Sequence, residues 1–582
     1  MAETLLSPGV LANENDQSQI RSLPVIAGAA IIGPTVKGKP NIPRLVTTFS
    51  EFQAEFGTTF VSGSTEEFSF FTSISANNYF AQGGTSLLVT RVVSSSADFS
   101  PATSSYISSS LSQSQQSFVL ETLSEGAILN NDDGTHGVTG SFSTTGSNGT
   151  LLSGSKDNIR WEVVSPNTSS GVFSLLIRRG DDRLNSKTIL ETYTNLSLDP
   201  RQSNYIERVI GNQVQQLVGS GTDVYVGTSG SYPNSSRFVR VKSVNLPTPD
   251  YFDNNGAAKP EFTASIPIAS SGTMGGATGE IFEGTNTLYE SIGTRTQGLV
   301  DDSYTDAINL MANRDEYRYN IISTPGIYQA DHPTPVGNLI EMVENRGDAI
   351  AVVDLVKYGS TIPVAVTEAG EKDSSYAAAY WPWLQISEPS NGQIVWVPAS
   401  TLIPGVYANT DATAETWFAP AGFNRGGLIG VVQAERKLSQ SQRDTLYVGK
   451  VNPIATFPGQ GVVVFGQKTL QQQASALDRV NVRRLLISLK SFISQIADNL
   501  VFEQNTAATR NNFLTQVNPF LESVQQRQGL FAFKVVMDDT NNTADVIDRN
   551  QLVGQIFIQP TRTAEFVLLD FNILPTGATF PS

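Results

Sequence analysis

The sequence predicts a multi-domain α/β (α+β) protein that contains an all-β insertion. At 582 residues the chain is too long for one hydrophobic core, so about three or four domains are expected. Towards both ends of the chain, apolar runs of strand length alternate with helical apolar patterns, which is typical of a sheet flanked by helices. Between about residues 118 and 285, short strand candidates are separated by Gly, Asn, Asp and Ser clusters, which predicts β structure.

The segment before residue 95 has the pattern of half an α/β layer. Pro24–Gly33 (PVIAGAAIIG) is a continuous apolar run that suits a strand buried on both faces. Ser50-Glu-Phe-Gln53 has the form of a capping box, which starts a helix. A further helix is expected over Glu66–Gln82, and Ser86–Val93 is the next strand.

The segment 286–400 shows the same alternation. Tyr304–Ala312 and Val336–Asn345 have helical apolar spacing, while Tyr319–Ser323 and Ala349–Leu355 are apolar strand candidates. Helices between strands at crossover length predict a parallel or mixed sheet.

A long amphipathic pattern follows in the C-terminal part of the chain. Its apolar positions share one helix face and are Val482, Leu485, Leu486, Leu489, Ile493, Ile496 and Leu500. A second helix over Ala507–Arg527 contains Pro519, which is expected to kink or split it. Strands are then predicted at Phe531–Met537 and Leu552–Ile558.

Neither end of the chain has a pattern that folds alone. Residues 1–22 combine apolar positions with a polar stretch without periodicity, which fits a frayed terminus or a segment that joins a neighbour's sheet edge. Thr563–Leu574 is a strand candidate with apolar residues on both faces. It suits a strand of its own domain and an exchanged strand equally well.

Composition excludes several classes of protein. The formal charge of −16, from 54 acidic and 38 basic residues, disfavours nucleic acid as a partner, because phosphate binding needs clustered Lys and Arg. The absence of cysteine excludes disulfides and thiolate metal sites. No apolar run is long enough to cross a bilayer, and the first residues lack the pattern of a secretory signal.

No constellation for catalysis is found, so we predict no enzyme, no cofactor and no metal. His136 and His332 are the only histidines and suggest neither a triad nor a metal set. Gly33-Pro-Thr-Val-Lys-Gly38-Lys39 approaches a phosphate-binding loop, but Pro40 replaces the Ser or Thr that would hold magnesium. Three adjacent carboxylate pairs, at 181–182, 301–302 and 538–539, lie in polar turn contexts.

A series of short motifs carries a family resemblance. In chain order they are Trp417-Phe-Ala-Pro-Ala-Gly422, Val451-Asn-Pro-Ile454, Gly459-Gln-Gly461, Gly466-Gln-Lys-Thr-Leu470, Val482-Arg-Arg484 and Phe502-Glu-Gln-Asn505. With the N-terminal words Ile32-Gly33-Pro34 and Gly83-Gly84, this order resembles the contractile tail sheath proteins of phages and related injection systems. Gln504 and Lys450 depart locally from the family's pattern.

The resemblance implies a core built from both chain ends, with a mixed sheet, flanking helices and extended N- and C-terminal arms. The predicted division is 1–22 N-terminal arm, 23–95 first part of the core, 96–285 variable and mostly β outer insertion, 286–400 α/β intermediate domain, 401–560 second part of the core, and 561–582 C-terminal strand or arm. The middle of the chain, 96–285, carries no recognised motif.

The resemblance also implies which residues contact partners. The predicted subunit-linking positions on the two arms are Leu5, Leu6, Val10, Phe566, Val567, Leu569 and Phe571. Arg483, Arg484 and Lys490 are candidates for facing an inner tube, with solvated or intra-domain charges as the alternative.

The function implied is that of a structural subunit of a contractile tail sheath in the virion, assembled in the bacterial host cytoplasm. Hexameric rings of the chain would stack as a helical sleeve around an inner tube, contact baseplate and tail terminator proteins, and contract to drive the tube through the target envelope. The sheath of a phage-derived injection system, a non-contractile shell protein and an α/β enzyme with an all-β insertion are the alternatives. Neither direct nucleic-acid binding nor membrane insertion is expected.

Overall fold

The computed structural model describes residues 25–565 except 27, 63–65, 94–98, 110–114, 127–157, 184, 220, 222, 280–294, 297–298, 301–303 and 389–391. The strands are β1 Val25–Ile26, β2 Ala29–Gly33, β3 Arg44–Val46, β4 Thr59–Ser62, β5 Glu66–Ser69, β6 Leu87–Arg91, β7 Pro101–Ser104, β8 Phe118–Glu125, β9 Ile159–Asn167, β10 Val172–Arg179, β11 Ile189–Ser197, β12 Val214–Val218, β13 Tyr225–Ser229, β14 Val239–Val244, β15 Ser270–Gly275, β16 Arg295–Thr296, β17 Leu299–Val300, β18 Tyr317–Arg318, β19 Ile321–Tyr328, β20 Ile350–Asp354, β21 Ala377–Trp381, β22 Leu384–Ser387, β23 Ile394–Val397, β24 Val431–Ala434, β25 Val451–Phe457, β26 Gly461–Val464, β27 Leu530–Val536 and β28 Gln555–Pro560. The helices are α1 Phe49–Phe56, α2 Phe71–Ala81, α3 Ile206–Ile210, α4 Pro260–Thr263, α5 Thr305–Met311, α6 Pro333–Arg346, α7 Ile362–Gly370, α8 Ile403–Thr413, α9 Gln440–Val448, α10 Val480–Asp498, α11 Ala507–Gln526 and α12 Ala544–Asp548, with 3-10 turns at Ala399–Thr401 and Ala476–Asp478.

The core is an eight-stranded mixed sheet in the order β26-β25-β21-β20-β19-β2-β6-β3. Six neighbouring strands, from β25 to β6, are parallel, and one antiparallel strand closes each side. The strands β19, β20 and β21 of the 286–400 segment lie in the middle, between strands from the N-terminal and the C-terminal parts of the chain. The predicted multi-domain α+β class with a mixed sheet is confirmed, and the 286–400 strands share the sheet of the core.

Helices cover both faces of this sheet, which explains why its strands are apolar runs without alternation. The helices α5, α6, α7 and α9 contribute to the hydrophobic core on one face. The helices α1, α2, α8 and the start of α10 contribute to the core on the other face. Side chains of β2, β6 and β20 are buried along the whole strand.

The outer unit is a seven-stranded sheet in the order β11-β10-β9-β15-β7-β8-β14, with its own hydrophobic core around Trp161 and Phe173. All of the residue pairings within this sheet are antiparallel. The strands come from the segment between residues 101 and 275, so the predicted β character of the insertion is confirmed.

A buried arginine joins the outer sheet to the core. The Arg91 guanidinium, at the end of β6, donates hydrogen bonds to the carbonyl oxygens of Gly38 and Glu125, the latter at 2.7 Å. Lys39 forms an ion pair with the Glu125 side chain. The Gly33–Lys39 segment that approached a phosphate-loop pattern therefore makes the joint between the two sheets. Burial lowers the pKa of Arg91 to about 9, although Glu125 opposes this.

A separate C-terminal unit consists of α10, α11 and the hairpin β27–β28. Leu485, Leu489 and Ile496 of α10 pack with Phe513, Val517 and Leu521 of α11 and with Trp417. Because Val480 and Ile487 belong to the core beneath the main sheet, α10 links the two hydrophobic cores. The predicted apolar stripe packs in the C-terminal core, except that Val482 belongs to neither core, and the contact with the core beneath the sheet is made by Val480 and Ile487, which lie outside the predicted stripe.

Two local predictions were wrong. Residues 66–69 form a strand paired with β4, and the helix predicted from residue 66 begins at Phe71. The first helix is capped by Thr48, whose side chain accepts from the Glu51 amide, so the predicted capping box with Ser50 is not the cap.

Pro519 lies inside α11 without splitting it, because buried residues on both sides of the proline hold one helix face on the core. Among the described residues, no helix combines the length and apolar character needed to span a bilayer.

Candidate functional site

The hairpin β27–β28 is a two-stranded sheet whose outer edges pair with no other strand in the described part of the chain. Phe533, Val535, Ile556 and Ile558 pack towards α11, so one face of the hairpin is held by the C-terminal core. On the other face, Phe531 is 76% exposed and Phe557 is 56% exposed. A short sheet with unpaired backbone groups at its edges is a template for strands from another chain.

The first described residues, Val25 and Ile26, are held by backbone pairing within the chain. Val25 and Ile26 of β1 pair in parallel with Tyr317 and Arg318 of β18. The predicted arm residues Leu5, Leu6 and Val10 lie outside the described residues. The chain therefore approaches the core beside the start of β19, at the amino end of the parallel strands.

The last described residues, Thr563 to Glu565, are held by side chains. The Glu565 carboxylate accepts two hydrogen bonds from the Arg479 guanidinium, at 2.7 and 3.0 Å, and one from the Gln467 amide at 3.1 Å. The Gln467 amide also donates to the Thr563 hydroxyl at 2.8 Å. Phe566, Val567, Leu569 and Phe571 follow this anchor and lie outside the described residues.

The electrostatics of this anchor favour the ionised pair. Burial raises the pKa of Glu565, but hydrogen bonds from Arg479, Tyr447 and Gln467 outweigh burial and leave the pKa below its ordinary value. Burial likewise lowers the pKa of Arg479, and its hydrogen bonds to Glu565 reverse that effect and raise the pKa. The motifs did not indicate this pair, since Arg479 and Glu565 are far apart in sequence and neither has a distinctive spacing.

The three basic residues predicted to face a tube are in two different environments. The Arg483 guanidinium is 3.9 Å from the Tyr376 ring centroid, and the Arg484 guanidinium is 2.5 Å from the Asp411 carboxylate and 4.7 Å from the Tyr407 ring centroid. These residues are 4% and 3% exposed, so both charges are buried within the chain. Lys490 is exposed and lies 3.1 Å from the Tyr376 hydroxyl.

The residues considered for catalysis have structural partners. Asp182 accepts two hydrogen bonds of 2.7 Å from Arg178, Asp538 caps a turn by accepting from the Thr540 amide, and Asp539 pairs with Arg510. His332 is buried beside the Tyr328 ring, while His136 and the pair at 301–302 lie outside the described residues. In the described part, no group of three His, Asp or Glu residues is arranged to hold a metal ion.

One buried carboxylate has an unusual environment. Asp354 ends β20 and accepts hydrogen bonds from the Ser400 amide at 3.1 Å, the Ser400 hydroxyl at 2.5 Å and the Gly326 amide at 3.4 Å. Burial raises its pKa to about 6, and these hydrogen bonds limit the rise. Since its partners are backbone and hydroxyl groups of neighbouring turns, Asp354 ties the 3-10 turn at Ala399–Thr401 to the sheet.

Comparison with known proteins gives two adjoining domain matches. Residues 302–470 match the family model of the phage tail sheath protein central domain, and residues 472–573 match that of the phage tail sheath C-terminal domain. Together these matches cover just under half of the chain.

Curated relatives carry the same description. The chain is 39% identical over 230 residues to the tail sheath protein of Vibrio phage KVP40, a match that covers 40% of this chain and 32% of that protein. It is 40% identical over 185 residues to the tail sheath protein of Enterobacteria phage T4, covering 32% of this chain and 28% of that protein. The matched part thus spans about a third of the length of these relatives.

The overall fold has a counterpart among solved structures. The sheath tail protein Lin1278 from Listeria innocua aligns with a TM-score of 0.51 at 9% identity, over 92% of this chain and 96% of that protein. At this identity the likeness shows the fold alone. The domain matches and the curated relatives confirm the resemblance to tail sheath proteins that the motifs predicted.

Proposed function

We propose that this chain, whose residues 302–573 match the two phage tail sheath domains, is the structural subunit of a contractile tail sheath. The match of both domains in one chain is the observation that carries the proposal. The subunit assembles as stacked hexameric rings around an inner tube and contracts from an extended state to drive the tube through the target envelope.

The open edges of β27–β28 are the proposed acceptor for arms from neighbouring copies. A strand added there would satisfy the unpaired backbone groups and cover the exposed rings of Phe531 and Phe557. Backbone pairing ties subunits together without fixing the angle between their cores. The rigid α/β core and the outer sheet can then move as bodies between two packings of the sleeve.

The anchors at the two arm bases support the same arrangement. The β1–β18 pairing and the Arg479–Glu565 pair fix the points at which the arms leave the subunit. A pull on an arm is therefore transmitted to the sheet and to α10. This coupling lets movement of one subunit displace its neighbours.

The remaining partners follow from the proposed role. The inner tube, a baseplate and a tail terminator are the expected contacts, and the virion tail, assembled in the host cytoplasm, is the expected location. Lys490 is the exposed candidate for a weak contact to the tube. The energy of contraction is stored at assembly, so the subunit acts without an enzymatic step.

Truncation of either arm tests the proposal. Removing residues 1–20, or residues 566–582, leaves both anchors intact and is expected to give a folded subunit with unchanged circular dichroism. Negative-stain electron microscopy should show long sleeves for the parent chain and none for either truncation. Replacing the exposed Tyr225 of strand β13, which pairs with β12 in a separate two-stranded sheet, by Ala is the matched control and should leave sleeves intact. Normal sleeves from a truncated chain would contradict the arm model for that end.

Two alternatives predict different particles. A non-contractile shell would keep its length and diameter when the particle is triggered, whereas a contractile sheath shortens and widens. The sheath of a phage-derived injection system would be found on particles without a DNA-filled head. Electron microscopy of native particles before and after triggering separates these cases.

A further inference from the structure

The turn between α10 and α11 exposes an apolar knob, which we define as Val501 and Phe502. The Phe502 side chain is fully exposed, and Val501 is 60% exposed. The Phe502 backbone has a φ of 71°, which is unfavourable for a residue with a bulky side chain. The ring therefore contributes no stability to an isolated subunit in this position, which indicates that the knob contacts a partner.

A second exposed apolar feature lies beside the edge strand β26. We call it the aromatic patch, and it consists of Phe423, Phe457 and Phe465. The three ring centroids are 4.8 to 5.8 Å apart, and the Arg443 guanidinium lies over two of the rings. Phe423 and Phe465 are exposed. A cluster of aromatic rings with a nearby arginine has the composition of the centre of a protein interface.

The sequence stretches that carry the two features differ in the sign of their net charge. The stretch 491–509 around the knob contains Asp498 and Glu503 and no basic residue, and both carboxylates are exposed. The stretch 421–443 around the patch contains four basic residues, Arg425, Arg436, Lys437 and Arg443, and one acidic residue, Glu435. In a chain with a net charge of −16, this local basic excess suits an acidic partner surface.

The knob and the patch of one molecule cannot meet. The Asn481 side chain, in the first turn of α10, bonds to the Trp417 carbonyl, close in sequence to Phe423 of the patch. The knob follows the other end of the same helix, which has 19 residues and is therefore about 28 Å long. A contact between the two features must join different molecules.

We propose that the knob of one copy docks on the aromatic patch of a second copy of this chain. The contact joins different surfaces of the two molecules, so it is heterologous and generates rings or open helices rather than closed pairs. The inference rests on the proposed function, because a sheath is such a helical assembly. It adds a rigid, side-chain contact to the flexible backbone pairing of the arms.

The absence of native cysteine allows a direct test by cross-linking. One preparation carries Gln504→Cys, at an exposed position two residues after Phe502 that leaves the knob intact, and a second carries Asn424→Cys, at an exposed position next to Phe423 that leaves all three rings intact. Mixed, assembled and oxidised, the two preparations should yield a disulfide-linked dimer that neither gives alone. Tyr225→Cys on strand β13, mixed with Gln504→Cys, is the matched control and should give no dimer.

Each outcome decides the inference. Sleeves without the cross-link would overturn the knob–patch contact while leaving the proposed function in place. If no sleeves form, the same mixture is oxidised in concentrated solution, and absence of the dimer there overturns the contact as well. A dimer from Gln504→Cys alone would show knob-to-knob contact and overturn the heterologous arrangement.

Charge reversal gives a second readout. In the cross-linking background, Glu503→Lys is expected to lower the initial rate of dimer formation about threefold, because it replaces an attraction by a repulsion. Lys437→Glu on the second preparation should restore the rate, and it should lower the rate when Glu503 is unchanged. Rates that do not respond to either change would contradict the proposed charge complementarity.

Discussion

Removal of the Glu565 charge should release the base of the C-terminal arm. In Glu565→Gln the Arg479 guanidinium loses the carboxylate that it contacts through two hydrogen bonds at 2.7 and 3.0 Å, while its ion pair with Asp478 remains. Both side chains are largely shielded from solvent, at 18% and 26% exposure, so the pair should contribute more than a surface ion pair. A charged hydrogen bond in such a site is worth about 1.5 kcal/mol, which corresponds to an about tenfold change in local opening.

Hydrogen exchange at the arm base measures this change. The Thr561 amide donates to the Gly529 carbonyl at 3.2 Å, so the peptide spanning 559–565 reports detachment. Exchange of this peptide should be about tenfold faster in Glu565→Gln, while peptides from the main sheet keep the parent rate. Arg549→Gln is the matched control, because its pair with Asp545 is mostly exposed and should contribute little.

The pH dependence of the same peptide gives an independent check. Because the pKa of Glu565 is lowered in the folded chain, the stabilisation is present above the ordinary value of 4.5 and is lost as the pH falls through the lowered pKa. Exchange, corrected for its intrinsic pH dependence, should therefore rise on acidification in the parent and stay flat in Glu565→Gln. An equal rate for parent and variant at neutral pH, or an equal effect of Arg549→Gln, would refute the reasoning.

Three further predictions concern stability. The pKa of Asp354 is raised from 3.8 to about 6, so the folded chain binds a proton more tightly than the unfolded chain. As the pH rises from 4 to 6, the free energy of unfolding should therefore fall by up to about 3 kcal/mol relative to that of Asp354→Asn. A difference between the two chains that stays constant with pH in denaturant unfolding would contradict this. Arg91→Met removes the buried guanidinium that donates to the carbonyl groups of Gly38 and Glu125, and it should lower the free energy of unfolding by about 2–4 kcal/mol in the same assay. Arg237→Gln, at the exposed pair with Glu51, is the control and should lower it by about 0–1 kcal/mol. Leu521→Ala should destabilise the C-terminal unit by about 2–5 kcal/mol, because this side chain is fully buried. Phe531→Ala should leave the stability of the subunit nearly unchanged and impair sleeve formation, because this ring is exposed. A large loss of subunit stability in Phe531→Ala would place that ring in the core.

The sequence by itself determined the class of fold and the resemblance to tail sheath proteins. Continuous apolar runs such as AAIIG and IAVVD can be stable only when both faces are covered, so they indicated central strands of a sheet between helices. The apolar stripe of α10 required a core on one side, and the order of the C-terminal motifs indicated a tail sheath protein. These conclusions depend on the local periodicity of apolar residues and on short sequence motifs, and both can be read from the sequence alone.

Only the tertiary structure decided which groups meet. The pairs Arg91–Glu125, Arg484–Asp411 and Arg479–Glu565 join residues 34, 73 and 86 positions apart, and no local pattern encodes such a contact. The burial of Arg483 and Arg484 depends on Tyr376 and Tyr407 arriving from other elements, so a charge that looks solvated in sequence can be internal. The packing of separate elements also decides three further features, because exposure is a property of the assembled surface and not of the residue type. These are the sharing of one sheet by the 286–400 strands, the free edges of β27–β28 and the exposure of Phe502.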